Sequence, residues 1–275
     1  MTSASVKPSE ESPLAGLRFL VTRQDSPESS LSEMLESLGA AVLTVPMTQI
    51  LQPTSWKSFE ENVLHASDVD WVIFTSSNGV KYCMTHLNVL DISPQKIFST
   101  IKIACVGHAT AAALADHGLT PLLVPEHFQS EGLVSAFSKY DLHEKRCWLI
   151  QAESPREILR HALEKMGAQI LLTPVYRNVP SEGDHSFLLS ELEQNKLDWI
   201  LFASPSAVQN FHQVLHDGFW ESLPTVPKIA CLGEITAAAV RGFGWSVQAQ
   251  PSIQDFEHLV QSICEINSQI SVKYE

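Results

Sequence analysis

The sequence predicts an α/β protein of two doubly wound parallel sheets that arose by internal duplication. Three observations carry that prediction. Two short apolar runs, WVIF (71–74) and WILF (199–202), each follow an aspartate and end in small hydroxylated residues. Strand-like and helix-like segments alternate along the chain, the pattern of βαβ units. The order of segments then begins again near Arg146.

In chain order, LRFLVT (17–22) reads as a strand. Ser26-Pro27 then starts a helix, since proline suits the first helical position. Leu31, Met34, Leu35 and Leu38 form one apolar helical stripe, which Gly39 stops. A strand at 41–45 closes at Pro46, and 47–52 is extended. An amphipathic segment at 56–64 precedes the strand 71–74. The helix after that strand turns Val80, Cys83, Met84 and Leu87 inward. KIACVG (102–107) is a strand, TAAALADHG (110–118) a helix stopped by glycine, and PLLVP (121–125) a fifth strand. A helix at 131–137 buries Leu133, Val134 and Phe137.

The second copy repeats these landmarks in register. Arg146 stands to Arg18 as Ser154-Pro155 to Ser26-Pro27, Gly167 to Gly39, Pro174 to Pro46 and Asp198-Trp199 to Asp70-Trp71. KIACLG (228–233) repeats KIACVG after an interval two residues shorter, and Thr236 repeats Thr110. Phe256, Leu259, Val260 and Ile263 make the last helical stripe. One long period means a duplicated domain, with five strands expected in each copy.

Composition narrows the function. With 44% apolar and 18% charged residues, 275 residues suffice for two modest cores. No apolar run approaches the roughly 20 residues that span a bilayer, so no membrane partner is expected. The segment 1–16 is polar, without an apolar signal core, and reads as a disordered tail on a cytoplasmic protein. A net charge of −13 argues against nucleic acid, yet local amides and a few arginines still suit an anionic small molecule. The five cysteines form no C-x-x-C pair and read as reduced core thiols. His212 and His216 stand i, i+4 on an expected helix, but no third ligand is nearby, so no metal is expected. The glycine motifs have neither the lysine of a P-loop nor G-x-G-x-x-G spacing, which leaves nucleotide binding unsupported.

Taken in order, LVTR (20–23), FTSSNGV (74–80), IACVGHATA (103–111), PVYRNV (174–179), FASPSAV (202–208) and IACLGEITAAA (229–239) resemble the uroporphyrinogen-III synthase family. These are cofactor-free enzymes of tetrapyrrole synthesis. The resemblance runs from Leu17 to about Ile266. It implies two flavodoxin-like domains that are not the two repeats: 17–46 with 180–275, and 53–173. Extended linkers at 47–52 and 174–179 would join them, with the active site in the cleft between. It also implies the reaction: linear hydroxymethylbilane is closed to uroporphyrinogen III with loss of water and inversion of ring D. The enzyme would act as a monomer, in transient contact at most with hydroxymethylbilane synthase. One departure is visible. Where the family often has a glycine-rich run, this chain has Gln151-Ala152-Glu153-Ser154-Pro155 before Arg156.

Positioning a flexible octa-carboxylate calls for many hydrogen-bond donors and few acids or bases. Thr75, Ser76, Ser77 and Asn78 end the first apolar run, and Ser204 and Ser206 end the second. All are candidates for substrate binding, although helix capping alone would also explain them. Thr110 and Thr236 follow strand-ending glycines and are further anion contacts or plain helix residues. Arg23 and Arg156 are candidate carboxylate clamps. Tyr176, placed by the resemblance on a linker beside the cleft, is the catalytic candidate, donating to the leaving hydroxyl; packing alone is the rival role. A non-catalytic tetrapyrrole-binding or regulatory module of the same fold is the alternative function. A two-domain glycosyltransferase would need a nucleotide-phosphate or metal motif, and none is visible.

Overall fold

The computed structural model describes residues 12–25, 30–125, 130–155 and 157–271. Along the chain run β1 (Arg18–Val21), α1 (Leu31–Ser37), β2 (Ala41–Thr44), β3 (Thr48–Leu51), α2 (Lys57–Leu64), β4 (Trp71–Phe74) and α3 (Ser77–Val89). Next come α4 (Pro94–Phe98), β5 (Lys102–Cys105), α5 (His108–Ala115), α6 (Ser130–Phe137), β6 (Arg146–Ala152), α7 (Ile158–Lys165) and β7 (Gln169–Pro180). The last third holds α8 (Ser186–Glu193), β8 (Trp199–Phe202), α9 (Pro205–Val214), α10 (Phe219–Ser222), β9 (Lys228–Cys231), α11 (Glu234–Gly242) and α12 (Phe256–Ser271).

Two compact units result. One takes Met1–Gln49 with Pro180–Glu275, the other Ile50–Val179. The first holds a sheet of order β2-β1-β8-β9, and the second is built on a sheet of order β3-β7-β6-β4-β5. The pairings β1–β2, β1–β8 and β8–β9 are parallel, as are β4–β5, β4–β6 and β6–β7. All four residues of β4 and of β8 are buried, because helices cover both faces of a central parallel strand.

Each sheet separates two cores by simple alternation. Val72, Phe74, Trp148 and Ile150 enter one core of the second unit, while Trp71, Ile73, Cys147 and Leu149 enter the other. In the first unit Leu20, Ile200 and Phe202 face one way and Phe19, Val21, Trp199 and Leu201 the other. Burying each such side chain fully is worth about 1.5–3 kcal/mol. The repeated aspartate fixes strand order in both units. Asp70 accepts the Arg146 N–H at 2.9 Å and the Lys145 ammonium at 3.0 Å, and Asp198 accepts the Arg18 N–H at 2.7 Å. Burial resists charge on Asp70, but these donors outweigh it and hold the carboxyl below its ordinary pKa.

The fifth strand expected in each copy is reduced to a single bridge, Ala104 with Leu123 and Ala230 with Ala249. Pro121 and Pro125 bracket the first of these, and a proline has no N–H to extend a ladder. Ser26-Pro27 lies outside the described residues. The described helix starts at Leu31, where Ser30 Oγ accepts from Glu33 N–H at 3.0 Å and Asp25 from the N–H groups of Leu31 and Ser32. The segments 47–52 and 174–179 are extended: they contain β3 and the second half of β7, neighbours in one sheet. The helix stops repeat faithfully, with Gly39 and Gly167 left-handed at φ 90° and 88°.

Candidate functional site

The turn after β4 is built from its own hydroxyls. Thr75 returns both its N–H and its Oγ1 to the Ile150 carbonyl at 3.3 Å, which ties the turn to β6. Ser76 is extended (φ −163°, ψ 158°), and its Oγ accepts the Gly79 N–H at 3.0 Å as the cap of α3. The same Oγ lies 3.0 Å from the Tyr176 phenol oxygen. Tyr176 gets there through an irregularity in strand pairing. Gln151 aligns with Pro174 but Ala152 with Tyr176, so Val175 is passed over and the next side chain is re-aimed. The Glu153 N–H then closes on the Tyr176 carbonyl at 2.9 Å.

Tyr176 is only 7% exposed, and its ring stacks on Tyr82 at 6.0 Å between centroids. Burial raises the phenol above its ordinary pKa, and the Ser76 hydrogen bond opposes that only in part. The group is therefore a neutral donor at physiological pH. Ser77 and Asn78, the first residues of α3, are exposed and half-buried, respectively, beside it.

Helices α3 and α5 pack side by side, as do α9 and α11. Each pair follows neighbouring parallel strands, so two helix N-termini open at the carboxyl end of each sheet, where N–H groups favour anions. Thr110 is the third residue of α5 and Thr236 the third of α11, both buried, behind the caps Gly107 and Gly233. In the first unit Ser204 caps α9 by accepting from Ala207 N–H at 3.2 Å, and its Oγ meets Ser206 Oγ at 3.1 Å.

Arg23 is half-buried, its guanidinium 4.6 Å above the Phe256 ring and its Nε donating to the Gln24 carbonyl. Burial lowers its pKa, with Asp25 opposing. Arg156 lies outside the described residues. Near it, Glu153 accepts from the Thr54 N–H and, at 3.1 Å, from Thr54 Oγ, so this acidic side chain is bound within its own unit. The structure thus brings Ser76 and Tyr176 into direct contact, ties Thr75 beside them to the Ile150 carbonyl, leaves Ser77 and Asn78 at the same helix start, and gathers Ser204 and Ser206 in the other unit.

His212 and His216 do not share a helical face. Helix α9 ends at Val214, Leu215 is extended, and Gly218 turns the chain at φ 75°. His212 instead stacks on Phe243 at 4.0 Å and His216 meets Phe219 edge-on. Among the described residues no group of three or more His, Cys, Asp or Glu is placed to hold a metal ion.

Sequence reasoning passed over a groove of about 400 Å³ beside the tyrosine pair, lined by Gln52, Trp56, Lys81, Tyr82, Thr85 and His86. Trp56 lies flat on His86, with centroids 3.8 Å apart and planes 4° apart, and His86 Nε2 is 3.1 Å from Glu60. Tyr82 donates to the Ile50 carbonyl at 2.9 Å, and Arg177 Nε to the Gln52 carbonyl at 3.2 Å. The available signal was the run of lysine, aromatic, hydroxyl and imidazole at i, i+1, i+4 and i+5, opposite the buried face of α3.

A family model described as "Uroporphyrinogen-III synthase HemD" matches residues 29–261. A uroporphyrinogen-III synthase of Synechococcus elongatus is 30% identical over 233 residues, 82% of this chain and 86% of that one. One of Chlorobaculum parvum is 23% identical across 90% and 97% of the two chains. Among solved structures, a mutant uroporphyrinogen III synthase of Thermus thermophilus superposes with a TM-score of 0.66 at 21% identity. It covers 92% of this chain and 99% of that one. A Helicobacter pylori uroporphyrinogen-III synthetase gives 0.60 at 17% identity, covering 91% and 99%; both likenesses show the fold.

Proposed function

The chain belongs to the uroporphyrinogen-III synthase family, and from that premise we propose that Tyr176 and the hydroxyl and amide donors of the strand-end turns carry its reaction. The protein is an enzyme that closes the linear tetrapyrrole hydroxymethylbilane to uroporphyrinogen III, with loss of water and inversion of ring D. Departure of the terminal hydroxyl leaves an azafulvenium cation. Closure through a spiro intermediate, with fragmentation and reclosure, turns the last ring over.

The observation that carries the assignment is the Tyr176 phenol, buried, kept protonated and held 3.0 Å from Ser76 Oγ. In our reading Tyr176 donates its proton to the departing hydroxyl, which leaves as water. Ser76 orients the phenol, and its cap on Gly79 fixes Ser76 in turn. Thr75, Ser77, Asn78, Thr110, Ser204, Ser206 and Thr236, with the amides around them, hold substrate carboxylates. Arg23 and Arg156 add charge. Breaking a carbon–oxygen bond makes the enzyme a carbon–oxygen lyase, of the cyclising hydro-lyase kind. Because loss of the hydroxyl needs only a proton, the reading calls for neither metal nor nucleotide. It takes the protein as a cytoplasmic monomer that receives its substrate from hydroxymethylbilane synthase.

The test is incubation with freshly made hydroxymethylbilane, then oxidation and separation of porphyrin isomers. Isomer III is the expected product. Isomer I alone, at the rate seen without protein, would refute the activity.

A further inference from the structure

We propose that the groove between α3 and the segment joining β3 to α2 is a subsite for one pyrrole ring of the substrate. Trp56 and Tyr82 would flank the ring, and Lys81 and Arg177 would take its carboxylate arms. The proposal rests on the enzyme reading above and deepens it.

Four observations support the assignment. The groove's volume of about 400 Å³ falls in the range of about 300–1,000 Å³ typical of small-ligand sites. Its aromatic walls are set in advance. Trp56 is fixed by its stack on His86 and its edge contact with Phe59, and Tyr82 by its bond to the Ile50 carbonyl. A flat, electron-rich ring therefore binds without ordering these side chains first.

The cations are the third observation. Within this unit Lys57, Lys145, Arg146 and Arg160 each have a carboxylate partner, whereas Lys81, Lys96, Lys102, Lys139, Lys165 and Arg177 make no ion pair with a described residue; of these Lys81 lines the groove. Lys81 is exposed on the groove wall, and Arg177 donates through Nε to the carbonyl of Gln52, a lining residue. Glu60, on the facing helix α2, lies 3.1 Å from His86 Nε2. In a chain of net charge −13, a lysine on the wall of an aromatic groove and an arginine bonded to one of its lining residues suit an anionic aromatic ligand. Finally, Tyr82 is both a groove wall and the stacking partner of Tyr176. A ring seated there lies one aromatic layer from the proposed acid.

The experiment pairs turnover with direct binding, using Lys81→Met and its conservative counterpart Lys81→Arg. Lys81 is exposed, so its replacement leaves the buried core untouched. With hydroxymethylbilane, Lys81→Met is expected to raise KM about tenfold with kcat within about twofold, and Lys81→Arg to recover most of the loss. In parallel, saturation-transfer NMR uses a monopyrrole bearing one acetate and one propionate arm. Transfer to its ring is expected with the wild-type protein and is lost in Lys81→Met. An unchanged KM, a fall in kcat without a rise in KM, or undiminished transfer in Lys81→Met would overturn the subsite. If the wild type forms isomer III and Lys81→Met matches it in both assays, only the subsite fails. If no isomer III forms while the monopyrrole still binds through Lys81, the enzyme reading fails and the anionic pyrrole site stands.

Discussion

The turns after β4 and β8 are copies of one device put to different use. Ser76 and Ser204 are both extended, at φ −163° and −150°, and each Oγ accepts the N–H three residues on, at 3.0 and 3.2 Å. What each hydroxyl meets next differs. Ser76 meets the Tyr176 phenol at 3.0 Å, whereas Ser204 meets Ser206 at 3.1 Å. The position that answers to Tyr176 in the first copy is Thr48, so the duplication supplied two scaffolds and only one phenol. Capping is thus the shared, structural layer, and the phenol proposed to react stands in one copy alone.

The comparison breaks most sharply at Tyr176. Tyr176→Phe keeps the ring against Tyr82 and removes the only donor, so a loss on the order of 10²–10³-fold in single-turnover formation of isomer III is expected. Binding should change little, and stability should fall by about 0.5–1.5 kcal/mol for one neutral hydrogen bond. A wild-type rate would make the two turns chemically equivalent. Next in size is a matched pair. Ser76→Ala and Ser204→Ala should each cost about 1 kcal/mol in denaturant unfolding, the usual loss of a cap. Ser204→Ala should raise KM through the lost substrate contact, but only Ser76→Ala should slow the chemical step, by about tenfold, because the phenol loses its orienting partner. Equal turnover losses in both variants would erase the asymmetry.

The pH profile sharpens the same contrast with a smaller effect. Burial raises the folded Tyr176 phenol above its unfolded value, so its contribution to stability is complete below about pH 10 and declines as pH rises toward the folded pKa. Turnover limited by this donor should accordingly show no phenol titration from neutrality to about pH 10. A basic limb near neutrality would point to another acid. The smallest expected effect is none. Dialysis against a chelator should leave isomer III formation unchanged, and a loss restored by zinc would overturn the metal-free reading.

Much of this was legible because buried parallel strands leave a strong trace. WVIF and WILF read as strands since both faces of each are covered, and the serines after them read as caps since their hydroxyls meet helix N–H groups. Partner choice left no such trace. Nothing in LRFLVT says that β1 joins β8, because apolar strands pair through backbone groups common to all residues. PLLVP looked like a strand, and its flanking prolines allow only a bridge. The site was legible in part. The hydroxyls of the first turn and Tyr176 were recognised separately, but their meeting depends on a one-residue irregularity between β6 and β7 that no periodicity displays. The groove was missed because a helical pattern shows which face is exposed and not what stands opposite it. Arg23 looked like a free clamp, and only the packing of α12 reveals Phe256 beneath it.

The pairing of β1 with β8 also governs how the protein is made. The Arg18 N–H waits for Asp198, a partner 180 residues later in the chain. A ribosome releases β1 and β2 first, and the two can align with each other, but the sheet that buries them is incomplete until β8 and β9 emerge. The unit Ile50–Val179 is continuous and can finish meanwhile, so synthesis order favours its folding first. Until then Phe19, Leu20 and Val21, all fully buried in the native state, stay open to chaperones or to misplaced strands. A nascent chain halted before Trp199 would carry one finished unit and one apolar arm.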